Sequence, residues 1–320
     1  MLKQMLNPDL YHGRLPWNKF EGWYFKISFE GDTYAFIPGI FHGDSKMEPH
    51  SFIQVLDGQS AAYDYIMFPA GYFKPDAHSL VLNIGENRFS LSQIILKLDC
   101  SLGKIDANLK LSGLIRWNNS KNPSRSMGFY NFIPFMECYS QVCAMDMLVS
   151  GQISINYKSY NIENGRGYIE KNWGSQFPIS WLWVQSNNFS TPAVSLSASV
   201  GHIPFFLGSF KGFLIGLNIK SRFYEFTSMN GSRLTMRQSG ADKVIYVRNS
   251  KYHLELQTES DKDKFILCKA PKDGQMIPLA RETLSAKVHV KLTDLHSGIT
   301  IFEDTGVNAG IEYGGEPSSS

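Results

Sequence analysis

Three carboxylates of this 320-residue chain sit inside aromatic runs: Glu21 in FEGWYF, Glu137 in FMECY and Glu170 in YIEKNW. A carboxyl buried without a cationic partner is driven toward its neutral form by desolvation, and a neutral carboxylic acid can donate a proton. Aromatic faces stabilise a nearby cation through their quadrupoles. Carboxyls among rings therefore suit proton-initiated alkene chemistry in a dry cavity, where excluded water cannot quench a carbocation. The densest such stretch is residues 165–187. Glu170 and Asn172 alternate there with Lys171 and Trp173, and Trp181, Trp183, Gln185 and Asn187 follow at every second position. Alternate residues of a strand share a face, so Tyr168, Glu170 and Asn172 project together, as do Trp181, Trp183, Gln185 and Asn187. The link 174–180 carries Pro178 and reads as a turn that makes the two a hairpin or a bent strand pair.

Each of these residues also has a structural reading. Glu170 beside Lys171 fits an ion pair or a strand-edge charge. Glu21 before Gly22 fits a carboxylate that accepts backbone hydrogen bonds at a strand start. Trp181 and Trp183 fit core packing, and the sulfur-rich and aromatic run 127–147 fits core filling.

Other chemistries find little support. There is no G-x-G-x-x-G after a strand, no P-loop, no H-E-x-x-H and no G-x-S-x-G. His42, Asp44, Glu48 and His50 are spaced to make a metal site, although a polar loop after a strand accounts for the same residues. His289 and His296 lack a comparable carboxylate cluster. With 31 Lys and Arg against 29 Asp and Glu, the formal net charge is +2 and no basic stripe forms, which argues against nucleic acid as a partner. The four cysteines, Cys100, Cys138, Cys143 and Cys268, include no C-x-x-C pair and read as reduced, mostly buried thiols of an intracellular protein.

The elements that must position these residues are strands. Period-2 runs recur at 20–29, 33–40, 51–56, 63–68, 108–117, 151–161, 193–200, 222–227, 243–248, 252–258 and 286–292, separated by turn signals such as Asn230-Gly231. The segment 127–150 carries Gly128 and Pro134 and reads as irregular or extended. No amphipathic helix of three or more turns is present. About fifteen short strands with turns between them predict an all-β fold of antiparallel sandwiches or barrels. The expected division is an N-terminal β domain over 1–160, a C-terminal β domain over 161–313 and a disordered tail over 314–320. Residues 202–217, HIPFFLGSFKGFLIGL, are too short and too interrupted for a spanning helix and read as a buried strand pair or an apolar lip. The N-terminus has no apolar signal segment, so a soluble, cytoplasmic protein is expected, with contact to a membrane surface as a further expectation.

Five blocks in order, FEGWYFK (20–26), MGFYNFIPFMECYSQV (127–142), GYIEKNWGSQFPISWLWVQSNNF (167–189), IPFFLGSFKGFL (203–214) and FEDTGVNAGIEYGG (302–315), resemble the tocopherol cyclase family across nearly the whole chain. The resemblance implies two lipocalin-like β-barrel domains in tandem, similar to carotenoid hydratases and pericyclase-like proteins. It also implies the family reaction, in which an acid protonates the trisubstituted alkene of a prenylated hydroquinone and the phenol oxygen closes a chromanol ring. That reaction needs no metal or redox cofactor. By the same resemblance Glu170 is the expected acid, with Asn172 and Gln185 orienting the head group. Trp173, Trp181 and Trp183 line the cavity, Glu137 and Tyr139 contribute from the other domain, and Glu21 and Trp23 of the first block complete the substrate-binding set. The chain departs from the family where Ser140-Gln141 replaces a His-Gly pair after ECY and Met147 stands where a histidine often follows. The plastid transit segment of plant members is also missing, which points to a bacterial-type cytosolic relative. Three functions follow: a cyclase or related isomerase or hydratase of a prenylated lipid, a lipocalin-like protein that binds a hydrophobic ligand unchanged, or a scaffold whose cavity is filled by side chains.

Overall fold

Strand β1, Phe20–Phe29, is apolar or aromatic at most positions, and a strand without a polar stripe must be covered on both faces. In the computed structural model, which describes residues 7–120, 126–205, 208–239 and 242–315, all of β1 except Gly22 is buried. It lies inside an antiparallel sheet with β2 (Asp32–Phe41), β3 (His50–Asp57), β4 (Ala62–Pro69), β5 (Phe73–Pro75), β6 (Val81–Ile84), β7 (Asn87–Ser90), β8 (Gln93–Cys100), β9 (Gly103–Ile115), β10 (Cys138–Ile155) and β11 (Lys158–Gly174). The order across the sheet is β4-β3-β2-β1-β11-β10-β9-β8-β7-β6-β5. Its two edges, β4 and β5, are consecutive in the chain and joined by the 3-10 turn Ala70–Tyr72, so the sheet curls almost onto itself. The odd residues of β1, from Trp23 to Phe29, point into that barrel with Phe36, Ile53, Phe89 and Leu109.

The second sheet repeats the plan. It contains β12 (Ser180–Ser186), β13 (Val194–Phe205), β14 (Gly208–Ile219), β15 (Arg222–Thr227), β16 (Arg233–Ser239), β17 (Asp242–Arg248), β18 (Tyr252–Glu259), β19 (Ile266–Lys272), β20 (Gln275–Asp294) and β21 (Thr300–Gly315). The order is β15-β14-β13-β12-β21-β20-β18-β17-β16, with β19 on β20 beside this path. Here too the edge strands β15 and β16 are consecutive, linked through Asn230-Gly231. Leu196, Ile215, Phe226, Leu254, Val288 and Leu292 fill the interior. This is the all-β, tandem lipocalin-like architecture that the resemblance implies.

The two sheets meet outer face to outer face through Tyr24, Leu56, Trp117, Tyr168, Trp183, Cys268 and Leu284. Residue 160 lies within β11, and the chain changes sheet over residues 175–179. The expected hairpin of β11 with β12 does not form. β11 pairs with β1 and β10, and β12 with β13 and β21. The backbone of the link explains why: Ser175 and Gln176 donate to the Glu137 carbonyl, Phe177 donates to the Pro271 carbonyl, and Pro178 has no N–H to give. The two strands therefore oppose each other across the interface instead of pairing edge to edge.

Three further details refine the sequence reading. The run 127–150 is a 3-10 turn at Gly128–Phe132 followed, from Cys138, by an 18-residue strand. β10 pairs with β11 through several register shifts, which bend a strand of that length around the barrel. The apolar run 202–217 is a strand pair, with β13 on β14. Gly314 and Gly315, expected in the tail, close β21 opposite Trp181 and Ser180, while residues 316–320 lie outside the described residues. Among the described residues no helix is long and apolar enough to cross a membrane.

Candidate active site

A cavity of about 180 Å³ lies between the sheets, on the outer face of β1 and β11. Even residues of β1 (Phe20, Gly22, Tyr24) and of β11 (Glu170, Asn172) form one wall. Trp181 and Trp183 of β12, Glu282 of β20 and Glu312 of β21 form the other, and Ile203, Phe210 and Leu214 continue it toward the rim. A dry protein cavity of roughly 150 Å³ takes up a benzene-sized ring, so this space is on the scale of one aromatic head group. The tryptophans fit because β21 carries glycine beneath them. A Cβ on Gly314 would lie 2.2 Å from the Trp181 ring, and one on Gly310 would lie 2.5 Å from that of Trp183.

Two buried carboxyls, Glu170 and Glu282, and a half-buried one, Glu312, converge on this largely apolar space. Glu170 accepts from Ser140 Oγ at 2.8 Å on Oε1, and from Tyr168 Oη at 2.6 Å and Trp183 Nε1 at 2.9 Å on Oε2. Burial raises its pKa, against the hydrogen bonds from Tyr168, Ser140, Trp183 and Asn172. Tyr168 Oη also meets Ser197 Oγ at 2.9 Å, so the chain of hydroxyls runs from β10 through β11 to β13.

Glu282 and Glu312 stand directly opposite each other on β20 and β21. Tyr24 Oη donates to Glu282 Oε1 and Trp181 Nε1 donates to Glu312 Oε1. Glu282 Oε2 is buried and receives no hydrogen bond from a donor among the described residues. Burial, and then the neighbouring Glu312 charge, push the Glu282 carboxyl well above the ordinary range. Burial lifts Glu312 to about 7; hydrogen bonds from Trp181 and Glu282 pull it down, and the Glu170 charge adds to the rise. Two carboxylates this close in a dry setting share a proton more readily than they both ionise.

The other expected site residues divide between the cavity and its surroundings. Glu170, Tyr139, Asn172, Trp181 and Trp183 line the cavity. Gln185 does not; it accepts from Lys26 Nζ at 2.7 Å, deeper in the interface. Glu137 precedes β10 and accepts from Gln176 Nε2 at 3.0 Å, away from the cavity wall. Glu21, Trp23 and Trp173 belong to the opposite face of β1 and β11. There Glu21 pairs with Lys171 Nζ at 2.7 Å and accepts from the backbone N–H of His12 and Gly13 and from Asn18 Nδ2. Burial would raise the Glu21 pKa, but the Lys171 charge and the His12 hydrogen bond hold it at about 2. Lys171 lies 4.7 Å over the Trp23 ring and 4.6 Å over Trp173. The expected Glu170–Lys171 ion pair is thus replaced by Lys171 with Glu21, because adjacent strand residues point to opposite faces.

The residues at the family departures are placed as well. Ser140 takes up Glu170, Gln141 reaches Asp9 at 3.0 Å on the far face, and Met147 packs in the first barrel. His42, Asp44, Glu48 and His50 do not converge: Asp44 pairs with Lys19, and His50 bridges the Glu48 carbonyl and Tyr65. Among the described residues no three His, Cys, Asp or Glu side chains gather as a metal site. Sequence reasoning passed over Tyr24, Glu282 and Glu312. Glu312 lies in the terminal FEDTGVNAGIEYGG block, beside the glycines that seat the tryptophans, and that juxtaposition was its available signal.

Residues 96–315 match the family model described as tocopherol cyclase-like. Over 210 residues the chain is 28% identical to the probable chloroplastic tocopherol cyclase of Oryza sativa subsp. japonica, covering 63% of this chain and 45% of that one. Over 217 residues it is 27% identical to the chloroplastic tocopherol cyclase of Zea mays, covering 63% and 44%. The chain therefore spans less than half the length of these relatives. Its fold is similar to CghA with Sch210972 (TM-score 0.60, 8% identity, 94% of this chain and 89% of that one). It is also similar to kievitone hydratase from Nectria haematococca (TM-score 0.54, 11% identity, 93% and 89%).

Proposed function

The chain belongs to the tocopherol cyclase-like family, and from that premise we propose that it is an acid-catalysed cyclase, or a related isomerase or hydratase, of a prenylated hydroquinone or similar isoprenoid lipid. One observation carries the reading: three carboxyls, two of them buried and two of them side by side, face an aromatic-walled cavity with room for one ring. Carboxyls held neutral near pH 7 supply protons, and the apolar wall keeps water from a cationic intermediate. Asn172 and the hydroxyl chain through Tyr168 and Ser140 suit the hold on a phenolic head group. Phe129 is exposed beside Tyr130, which stacks on Phe210 at the rim, and Phe135 is exposed against Trp17; they support contact with a membrane surface from which such a lipid would enter. A second reading, binding without turnover, draws on Ser140-Gln141 and Met147, where the family pattern has a His-Gly pair and a further histidine.

The test incubates purified protein with prenyl- and phytyl-hydroquinones under reducing, anaerobic conditions. Tryptophan quenching reports binding, and chromatography with mass detection reports products, which for cyclisation are isomers of equal mass. A chromanol establishes the cyclase. Saturable quenching with only substrate recovered establishes the binding protein, and the absence of both removes both readings.

A further inference from the structure

We propose that Glu312 is the proton donor of this cavity, and that Glu282, kept neutral at its side, stabilises the carboxylate that Glu312 becomes. This deepens the acid-initiated reading above and rests on it.

The geometry separates the three carboxyls. Both oxygens of Glu170 are occupied by donors, Oε1 by Ser140 and Oε2 by Tyr168 and Trp183. Three donors favour its ionised form, so this carboxyl is built to accept hydrogen bonds, and the second lone pair of Oε1 is left for a phenol. Besides each other, Glu312 has one side-chain donor among the described residues, the Trp181 indole, and Glu282 has one, the Tyr24 hydroxyl. The unsatisfied Oε2 of Glu282 is accounted for if it carries the proton and donates it to Glu312. Among the described residues no cation forms an ion pair with either carboxyl. Lys26, whose charge influences Glu282, gives its hydrogen bonds to Gln185 Oε1 and the Asn308 carbonyl, and burial brings its own pKa down to about 7.

The step balances without a co-reactant. The Glu312 proton passes to the less substituted alkene carbon, whose π pair forms the new C–H bond and leaves a tertiary cation on the other carbon. Glu282 and Trp181 donate hydrogen bonds to the resulting carboxylate. A lone pair of the phenol oxygen forms the C–O bond, and the phenolic proton returns to Glu312. Substrate and product are isomers, and the acid is regenerated each turn. Burial places Glu312 near 7, where a donor is both populated and willing to give its proton up. The titratable groups facing the pair are Tyr24 and Lys26 of β1, Tyr63 of β4, Cys138 of β10, Glu170 of β11, and Cys268 and Lys269 of β19.

Two measurements test this. In the hydroquinone assay, kcat of the unaltered protein should fall as pH rises through about 7. Glu312→Gln should lose at least about 100-fold in kcat, and Glu282→Gln, which keeps an N–H donor, about tenfold or less. A flat profile between pH 6 and 8, or a Glu312→Gln rate within about threefold of the original, would overturn the assignment. The second measurement needs no substrate: infrared titration of the neutral-carboxyl C=O stretch. A band that disappears as pH rises through about 7 and is missing from Glu312→Gln supports the proposal, and its absence sinks it. If no hydroquinone is turned over, the cyclase reading fails by itself and the infrared result alone decides the state of Glu312.

Discussion

Glu21, fully buried, and Glu312, half-buried in the cavity wall, are carboxyls on opposite sides of the same pair of strands, and they are held in opposite states. Glu21 has Lys171 at 2.7 Å and a set of backbone and amide donors, and its pKa sits at about 2. Glu312 faces a second carboxyl across β20 and β21, has no cation partner among the described residues, and sits at about 7. Burial is common to both; the partner decides the outcome. The inner site ties the N-terminal arm (Asp9, His12, Asn18) to the first barrel through satisfied charge. The outer site keeps unsatisfied acid where a ligand would lie.

Removing the cation breaks the contrast most severely. Lys171→Met leaves Glu21 buried without its lysine, and should cost about 3–5 kcal/mol in urea or thermal unfolding. Adding Glu21→Leu should recover part of that loss, because the uncompensated charge is then gone. The pH dependence follows from the depressed pKa. The Glu21 contribution is full above the unfolded value near 4.5 and is lost as pH falls toward 2.

The outer site should behave in the reverse sense. A carboxyl whose folded pKa is raised contributes fully below its unfolded pKa and loses that contribution as pH rises through the folded value near 7. Glu312→Gln should therefore raise stability at pH 8, on the order of 1–3 kcal/mol, while abolishing turnover. Thermal melts at pH 4 and pH 8 check it: the gain should vanish at the lower pH. A variant less stable than the original at pH 8 would show that Glu312 is structurally compensated after all.

The smallest effect concerns Glu170, which stands between the extremes. Ser140→Ala removes one hydroxyl donor and should cost about 1 kcal/mol of stability. It should also raise the Glu170 pKa further, visible in the same infrared titration as a neutral-carboxyl band moving to higher pH. An unshifted band would mean that Tyr168, Trp183 and Asn172 alone set the state of Glu170.

Much of the fold was legible because its signals are local. Period-2 alternation gave the strands, and it placed Tyr168, Glu170 and Asn172 on one face and Trp181, Trp183 and Gln185 on another. The first block was harder. FEGWYF carries aromatic rings on both faces, so nothing within it says which face meets the cavity. The register of β1 on β11 settles the matter by setting Tyr24 beside Glu170 and Glu21 beside Trp173. Alternation then sends Glu21 and Trp23 into the barrel.

The sequence by itself determined the all-β class, the family and the presence of acid among aromatic rings, since each depends on residue type and short-range spacing. Which acids meet was decided only in three dimensions. Glu282 and Glu312 become neighbours through the pairing of two strands of 20 and 16 residues, with register shifts at Thr283/Ala286, Ala286/Val288 and Leu292/Thr293. One residue of slip would turn either carboxyl to the other face. Their partners, Tyr24 and Trp181, come from β1 and β12, brought there by packing one curled sheet against the other.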